Sequence, residues 1–263
     1  ENFDLAAMGH NSPDYIRTVA EAMKIATVDK DNHVGDPRFV DIPIERLMSK
    51  EYAKEMADKI KSGEKTHVPR LQKGEDQKET THVCAIDNAG NCVSMTHSLG
   101  MPSGVVTEGL GFVYNGCMGV FDPRPGKTGS LAPGKSRFTS MAPSMIFKDG
   151  KPMLLIGAPG GTYIAMGVVQ GILNVLDFGM DAEKAVAAPR FSATSDIIEI
   201  VNRIPHFVQE ELEAQGYAFR RYPLGFHFAG VHVTGFRFIG FSFIGFHFVG
   251  FHFIGFHIYI YIA

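Results

Sequence analysis

A polar run, Ser62 to Glu79 ("SGEKTHVPRLQKGEDQKE"), ends abruptly in two threonines that open a β-hairpin. This junction constrains the fold more than any other stretch. Thr81, Val83 and Ala85 alternate with His82, Cys84 and Ile86, "DNAGN" turns the chain, and Cys92 to Ser98 alternate again. Because side chains on a strand point to opposite faces in turn, the pattern predicts a two-sided strand pair whose first strand begins at the threonines. The run before it is poor in apolar residues and reads as an exposed connector, the kind of segment in which chains are cut.

Around this hairpin the periodicity predicts helices, then strands, then helices. Residues 14–29 place Ile16, Val19, Ala20, Met23 and Ile25 at mixed three- and four-residue spacings after a Ser12-Pro13 start signal, which predicts a helix. A second helix is expected from about Pro43 to Gly63. "GLGFVYNG" (109–116) reads as a strand, 122–137 as a Pro/Gly/Ser loop long enough to be a lid, and Asp149-Gly150 as a turn between two strands. "TYIAMGVVQGILNVLDFG", "DAEKAVAAP" and "PHFVQEELEAQGY" read as helices. The order indicates a layered α+β protein.

Composition narrows the function classes. A net charge of -3 over 263 residues leaves no basic stripe, so nucleic acid is not an expected partner. Cys84, Cys92 and Cys117 lack CxxC spacing, which argues against both a disulfide framework and a zinc site. No membrane segment or signal sequence is evident, and periplasmic, secreted and cytoplasmic locations all stay open. The start "ENFDLAAMGHNS", without an initiator methionine, is expected of a piece of a longer polypeptide. From about residue 234 the chain turns into "GFHFI"-like units, within a strict five-residue glycine period that runs from Gly225 to Gly255. An odd period flips alternate units to opposite faces of a strand, so 234–263 reads as an aberrant tail outside the functional design.

Three groups of residues suit chemistry. A threonine hydroxyl needs an adjacent base, and at a chain start its own α-amino group, with a reference pKa of about 7.7–8.0, is that base. Cleavage between Glu79 and Thr80 would therefore unite nucleophile and base in Thr80. In "LLIGAPGGTYIAMG" a strand runs into Gly160-Gly161 before a helix, placing unobstructed N–H groups where an oxyanion could develop. Thr139 and Ser140 offer two hydroxyls for a substrate carboxylate; plain turn residues are the alternative.

Together these residues resemble the γ-glutamyltransferase family of N-terminal nucleophile hydrolases. The resemblance is carried in order by "TTHVCAIDNAGNCVSMTHSLG", "FVYNGCMGVFDPRPG", "RFTSMAPSMIFKDGK", "GAPGG" and "NVLDFGMDAEKAVAAPRF", over about residues 5–230. It implies a four-layer αββα sandwich, here incomplete, and autocatalytic cleavage into large and small subunits that stay associated. Residues 1–79 would be the end of the large subunit with its linker, and 80–233 the small-subunit catalytic region. It further implies Glu79-Thr80 as the scissile bond, Thr80 as nucleophile, and Ser98 in place of a supporting threonine. Gly160 and Gly161 would form the oxyanion site, and Thr139 and Ser140 would hold the α-carboxylate. The implied substrate is a small γ-glutamyl amide such as glutathione, and no metal or organic cofactor is required.

Two departures qualify this expectation. Gly100 stands where the family has asparagine, and Gly119 or Val120 where it has an acidic residue; Asp122 is the nearest substitute. Those groups hold the glutamyl α-amino end, so the alternatives are an amidohydrolase acting on a non-glutamyl acyl group and an inactive fragment. The family region that supplies an arginine to the substrate carboxylate is not in this sequence.

Overall fold

The computed structural model describes residues 1–70, 79–87, 89–223, 228–235, 252–253 and 256–260. Helices α1 (Leu5–Met8), α2 (Pro13–His33), α3 (Ile44–Leu47) and α4 (Lys50–Lys61) come first. Strands β1 (Glu79–Asp87), β2 (Cys92–Gly100), β3 (Pro102–Val106), β4 (Val113–Asn115), β5 (Ser144–Lys148) and β6 (Lys151–Gly157) follow. Then come α5 (Ile164–Leu176), α6 (Ala182–Ala187), β7 (Phe191–Ser192), β8 (Ile197–Val201), α7 (His206–Ala214) and β9 (Ala218–Tyr222). Short strands β10 (His232–Gly235), β11 (His252–Phe253) and β12 (Phe256–Ile260) complete an α+β chain. It divides into two units: Glu1–Asp76, Gly116–Thr139 and Phe191–Gly225 form the first, and Gln77–Asn115, Ser140–Arg190 and Phe226–Ala263 the second.

The first unit is built on α2. Ser12 caps it by accepting the Tyr15 N–H at 3.1 Å, and Pro13 fits its first turn, where no N–H is needed. The helix runs to His33, beyond the expected end, and buries Tyr15, Ile16, Val19, Ala20 and Met23. Tyr15 meets Phe191 edge-on, ring centroids 6.1 Å apart. The second expected helix is two: Ser49 accepts the Tyr52 N–H at 3.1 Å and starts α4 afresh after the chain leaves α3 at Met48. A three-stranded sheet, β7-β8-β9, was not evident in the periodicity; β8 and β9 are parallel, and Ile198 and Ile200 are fully buried.

The described part of the expected connector, residues 62–70, is exposed at most positions but anchored at Thr66, Val68 and Arg70. Val68 is buried and donates its N–H to Asp196 at 2.7 Å, and Thr66 N–H reaches Glu21 at 2.7 Å. The Arg70 guanidinium holds both oxygens of Asp31 at 2.6 and 2.5 Å. Residues 71–78 lie outside the described residues.

The 122–137 loop is likewise clamped rather than free as a lid. Arg38 donates to Gly134 O at 2.8 Å, Thr128 Oγ1 to Asp31 O at 2.9 Å and Lys135 to Thr128 O at 2.7 Å. Asp36 anchors it by accepting the Ser136 N–H at 2.7 Å and two bonds from the Arg38 guanidinium at 3.1 and 2.7 Å. Those bonds, the Arg38 guanidinium foremost, hold the Asp36 carboxyl well below the usual carboxylate range. A depressed folded-state pKa stabilises above the unfolded value of about 3.9, and that contribution is lost as pH falls through the folded value. Asp36→Asn is therefore expected to lower the melting temperature at neutral pH, with the gap to the parent narrowing below about pH 4. Melting curves at descending pH check this; a gap independent of pH would contradict it.

The second unit contains sheets β11-β12-β1-β2 and β10-β6-β5 and the hairpin β3-β4. Leu154 and Ile156 of β6 pack with Ala158, Ile164, Val168, Ala229 and Val231 in a core against α5. The other face of β6 meets β1 and β2: Ser94 Oγ donates to Ile156 O at 3.4 Å, and the His82 ring lies against Gly157. Helix, sheet and sheet are thus stacked. On the far face of the hairpin Val93 and Met95 are 50 % and 52 % exposed.

The anticipated tail boundary at 234 falls inside β10, which pairs with β6 through Gly235↔Leu154. Farther on, β12 pairs with β1 from Val83↔Ile260 to Asp87↔Phe256. Most of the five-residue repeat lies outside the described residues. Among the described residues no helix is long and apolar enough to cross a membrane.

Candidate active site

The hairpin register determines what surrounds Thr80. Asp87 accepts the N–H groups of Ala89 and Asn91 at 2.9 and 2.8 Å, an Asx-type closure that fixes the turn. The register then pairs Thr80 with Ser98, His82 with Thr96 and Cys84 with Ser94 on one face. Thr80 is half-buried, with Oγ1 2.9 Å from Ser98 Oγ. Ser98 Oγ also accepts the Gly100 N–H at 2.9 Å, which leaves a geometry in which its proton can point to Thr80 Oγ1. The strand register slips between Glu79 and Thr80, setting the bond between them apart from the regular ladder.

Gly160 and Gly161 form the turn after β6. Their φ values are 138° and 55°, the region that favours glycine, and a Cβ on Gly160 would lie 2.7 Å from Ala229 Cα. The turn continues as a 3-10 segment, Gly161–Tyr163, before α5, so the glycines precede the α-helix by one short turn rather than capping it directly. Ser140 Oγ donates to Gly161 O at 2.6 Å. In this arrangement the Ser140 proton supports the glycine turn, whereas the sequence assigned it to a substrate carboxylate; Thr139 is exposed.

The positions that departed from the family pattern are equally specific. Gly100 has φ 72° and Gly119 is exposed within a 3-10 turn, Cys117–Val120. Asp122 is engaged by Arg124 at 2.9 and 2.7 Å, and that guanidinium holds its carboxyl down at about 2. It stays ionised but already has a cation. His82 was missed as a site neighbour. It is fully buried, with Nδ1 2.8 Å from Thr96 Oγ1 and Nε2 3.1 Å from Cys84 Sγ. Alternation put it on the Thr80 face, but nothing local announced its burial. Burial also pushes the Cys84 thiol up to about 12, far from a reactive thiolate.

The layered α+β fold is that of N-terminal nucleophile hydrolases. The gamma-glutamyltranspeptidase profile matches residues 1–236. The chain belongs to that family. It is 38 % identical to the Acylase ACY 1 proenzyme of Pseudomonas sp. (strain V22), over 85 % of this chain and 40 % of the relative. It is 34 % identical to the glutathione hydrolase proenzyme of Escherichia coli (strain K12), over 73 % of this chain and 36 % of the relative. Among solved structures it resembles cephalosporin acylase from Bacillus halodurans, with TM-score 0.73 and 26 % identity, covering 88 % of this chain and 44 % of that one. Gamma-glutamyltranspeptidase from Pseudomonas nitroreducens gives TM-score 0.55 and 30 % identity, covering 64 % of this chain and 99 % of that one. The chain thus spans well under half the length of these two curated relatives.

Proposed function

We propose that this chain is the catalytic part of an amide hydrolase or acyltransferase that exposes Thr80 by cutting the Glu79-Thr80 bond in itself. The observation that carries this reading is the Thr80 Oγ1 to Ser98 Oγ contact of 2.9 Å at the start of β1. In self-cleavage Thr80 Oγ adds to the Glu79 carbonyl, the Thr80 nitrogen leaves it as an amine, and water hydrolyses the resulting ester. The two segments stay associated as large and small subunits of one precursor. In turnover the new α-amino group takes the Oγ proton as Oγ attacks a substrate amide, then passes it to the departing amine. Ser98 supports Oγ, and the Gly160-Gly161 turn receives the oxyanion. Water or an acceptor amine resolves the acyl-threonine.

The acyl group is the finer question. Gly100, in the place of the family's asparagine, favours an acyl chain ending in a carboxylate without an α-amino group, consistent with the acylase among the relatives. A γ-glutamyl amide such as glutathione is the second reading, favoured by the glutathione hydrolase relatives. Glutaryl- and γ-glutamyl-p-nitroanilide differ only by that amino group. Each missing charge-assisted contact is worth about 1.5–3 kcal/mol, so glutaryl turnover is expected to match or exceed γ-glutamyl turnover in kcat/KM. A γ-glutamyl preference of about tenfold or more would replace the first reading by the second.

A further inference from the structure

His82 and Gly157 have no part in the chemistry above, yet they interlock. The His82 ring occupies the place of a side chain on Gly157: a Cβ there would lie 2.1 Å from its Cε1, 2.3 Å from Nδ1 and 2.5 Å from Nε2. Any residue larger than glycine must displace the ring or the strand. The ring is also tied within its own sheet, to Thr96 Oγ1 at 2.8 Å and Cys84 Sγ at 3.1 Å, with Ser94 Oγ at 3.5 Å from Nε2. Its two attachments lead in useful directions. One is β1, which carries Thr80 as its second residue; the other is the end of β6, which leads through Ala158 and Pro159 into Gly160-Gly161.

We infer that His82 is a positioning residue, whose ring fixes the strand of the nucleophile against the strand that carries the oxyanion glycines. The inference rests on Thr80 being the nucleophile. Close-packed interiors transmit displacement, and a shift of about 1 Å between attacking oxygen and oxyanion donors is enough to cost two orders of magnitude. The role acts on the reacting centre and leaves the acyl pocket alone, so it belongs in kcat and is blind to the acyl group.

The test compares the parent chain with His82→Ala, His82→Gln, Gly157→Ala and the double variant His82→Ala/Gly157→Ala. Active sites are counted with an acylating inhibitor, so that kcat is expressed per reactive Thr80. His82→Ala and Gly157→Ala are each expected to lower that kcat at least about tenfold on glutaryl- and γ-glutamyl-p-nitroanilide alike, with KM within about threefold of the parent. His82→Gln, which keeps a polar partner for Thr96, recovers part of the loss. Gly157→Ala adds no further loss where His82 is already alanine, because no ring remains to be displaced. Unchanged kcat per site, or the same Gly157→Ala loss in both backgrounds, would overturn the inference. A loss of titratable sites at constant kcat per site would show a merely structural histidine and overturn it too. If His82→Ala fails to fold, Gly157→Ala and His82→Gln decide by the same criterion. A parent chain that neither cuts itself nor turns over an amide overturns the Thr80 reading itself, before any His82 variant is compared.

Discussion

Thr80→Ala is expected to leave the chain uncut and to reduce amide turnover by at least about a thousandfold. Alanine lacks the oxygen that attacks both the Glu79 carbonyl and the substrate carbonyl, so one substitution removes two reactions with one cause. The methyl group retains the β1 backbone and loses only the 2.9 Å contact to Ser98, which limits the structural cost to about 1 kcal/mol. Thr80→Ser separates the hydroxyl from the threonine methyl: it retains an attacking oxygen and is expected to cut itself more slowly than the parent. Intact mass and p-nitroaniline release measure the two reactions separately. Self-cleavage in Thr80→Ala would remove Thr80 from the mechanism.

Gly160→Ala carries the second large effect, by a different route. At φ 138° an alanine is strained wherever it is placed, and here its Cβ would meet the Ala229 Cα at 2.7 Å. That neighbour cannot easily retreat. The buried Arg190 guanidinium donates to Phe228 O at 3.2 Å and Ala229 O at 3.0 Å, and Gly230 N–H reaches Pro159 O at 3.1 Å. Backbone strain and overpacking together are expected to cost about 2–5 kcal/mol of stability. A turn that shifts to relieve the clash moves the oxyanion donors, so kcat is expected to fall about a hundredfold or more in whatever fraction folds. Calorimetry and active-site counting distinguish the two losses. A folded Gly160→Ala with parental kcat would show that this turn does not bind the oxyanion.

The hairpin that carries Thr80 was legible in the sequence because everything that sets it is local, whereas Ser98 entered only through the family resemblance. Two-residue alternation on both strands and the Asp87-closed turn fix the register, which in the structure places Ser98 beside Thr80. Gly160-Gly161 was legible for the same reason, since apolar strand, glycine pair and apolar helix follow one another directly. The misses are contacts with remote residues. Glu21, Asp31 and Asp196 lie far along the chain from the Thr66, Val68 and Arg70 groups they hold, so the sequence showed an exposed segment but not where it is anchored. Strands β7, β8 and β9 are too short for periodicity to separate from loops, and the parallel β8-β9 pairing exists only through the α7 crossover. His82 is buried by Gly157, a residue whose relevant property is a missing side chain. The proton of Ser140 goes to Gly161 O because the glycine turn folds back on it, which adjacent hydroxyls in a sequence cannot reveal.

The most direct test of the central claim is intact mass spectrometry of the purified parent chain beside Thr80→Ala. The mechanism predicts two fragments from the parent, the smaller-numbered one ending at Glu79 and the other beginning at Thr80, and a single uncut species from the variant. A folded parent chain that stays in one piece, or one cut at any other bond, would contradict the assignment of Thr80 as a self-exposed nucleophile.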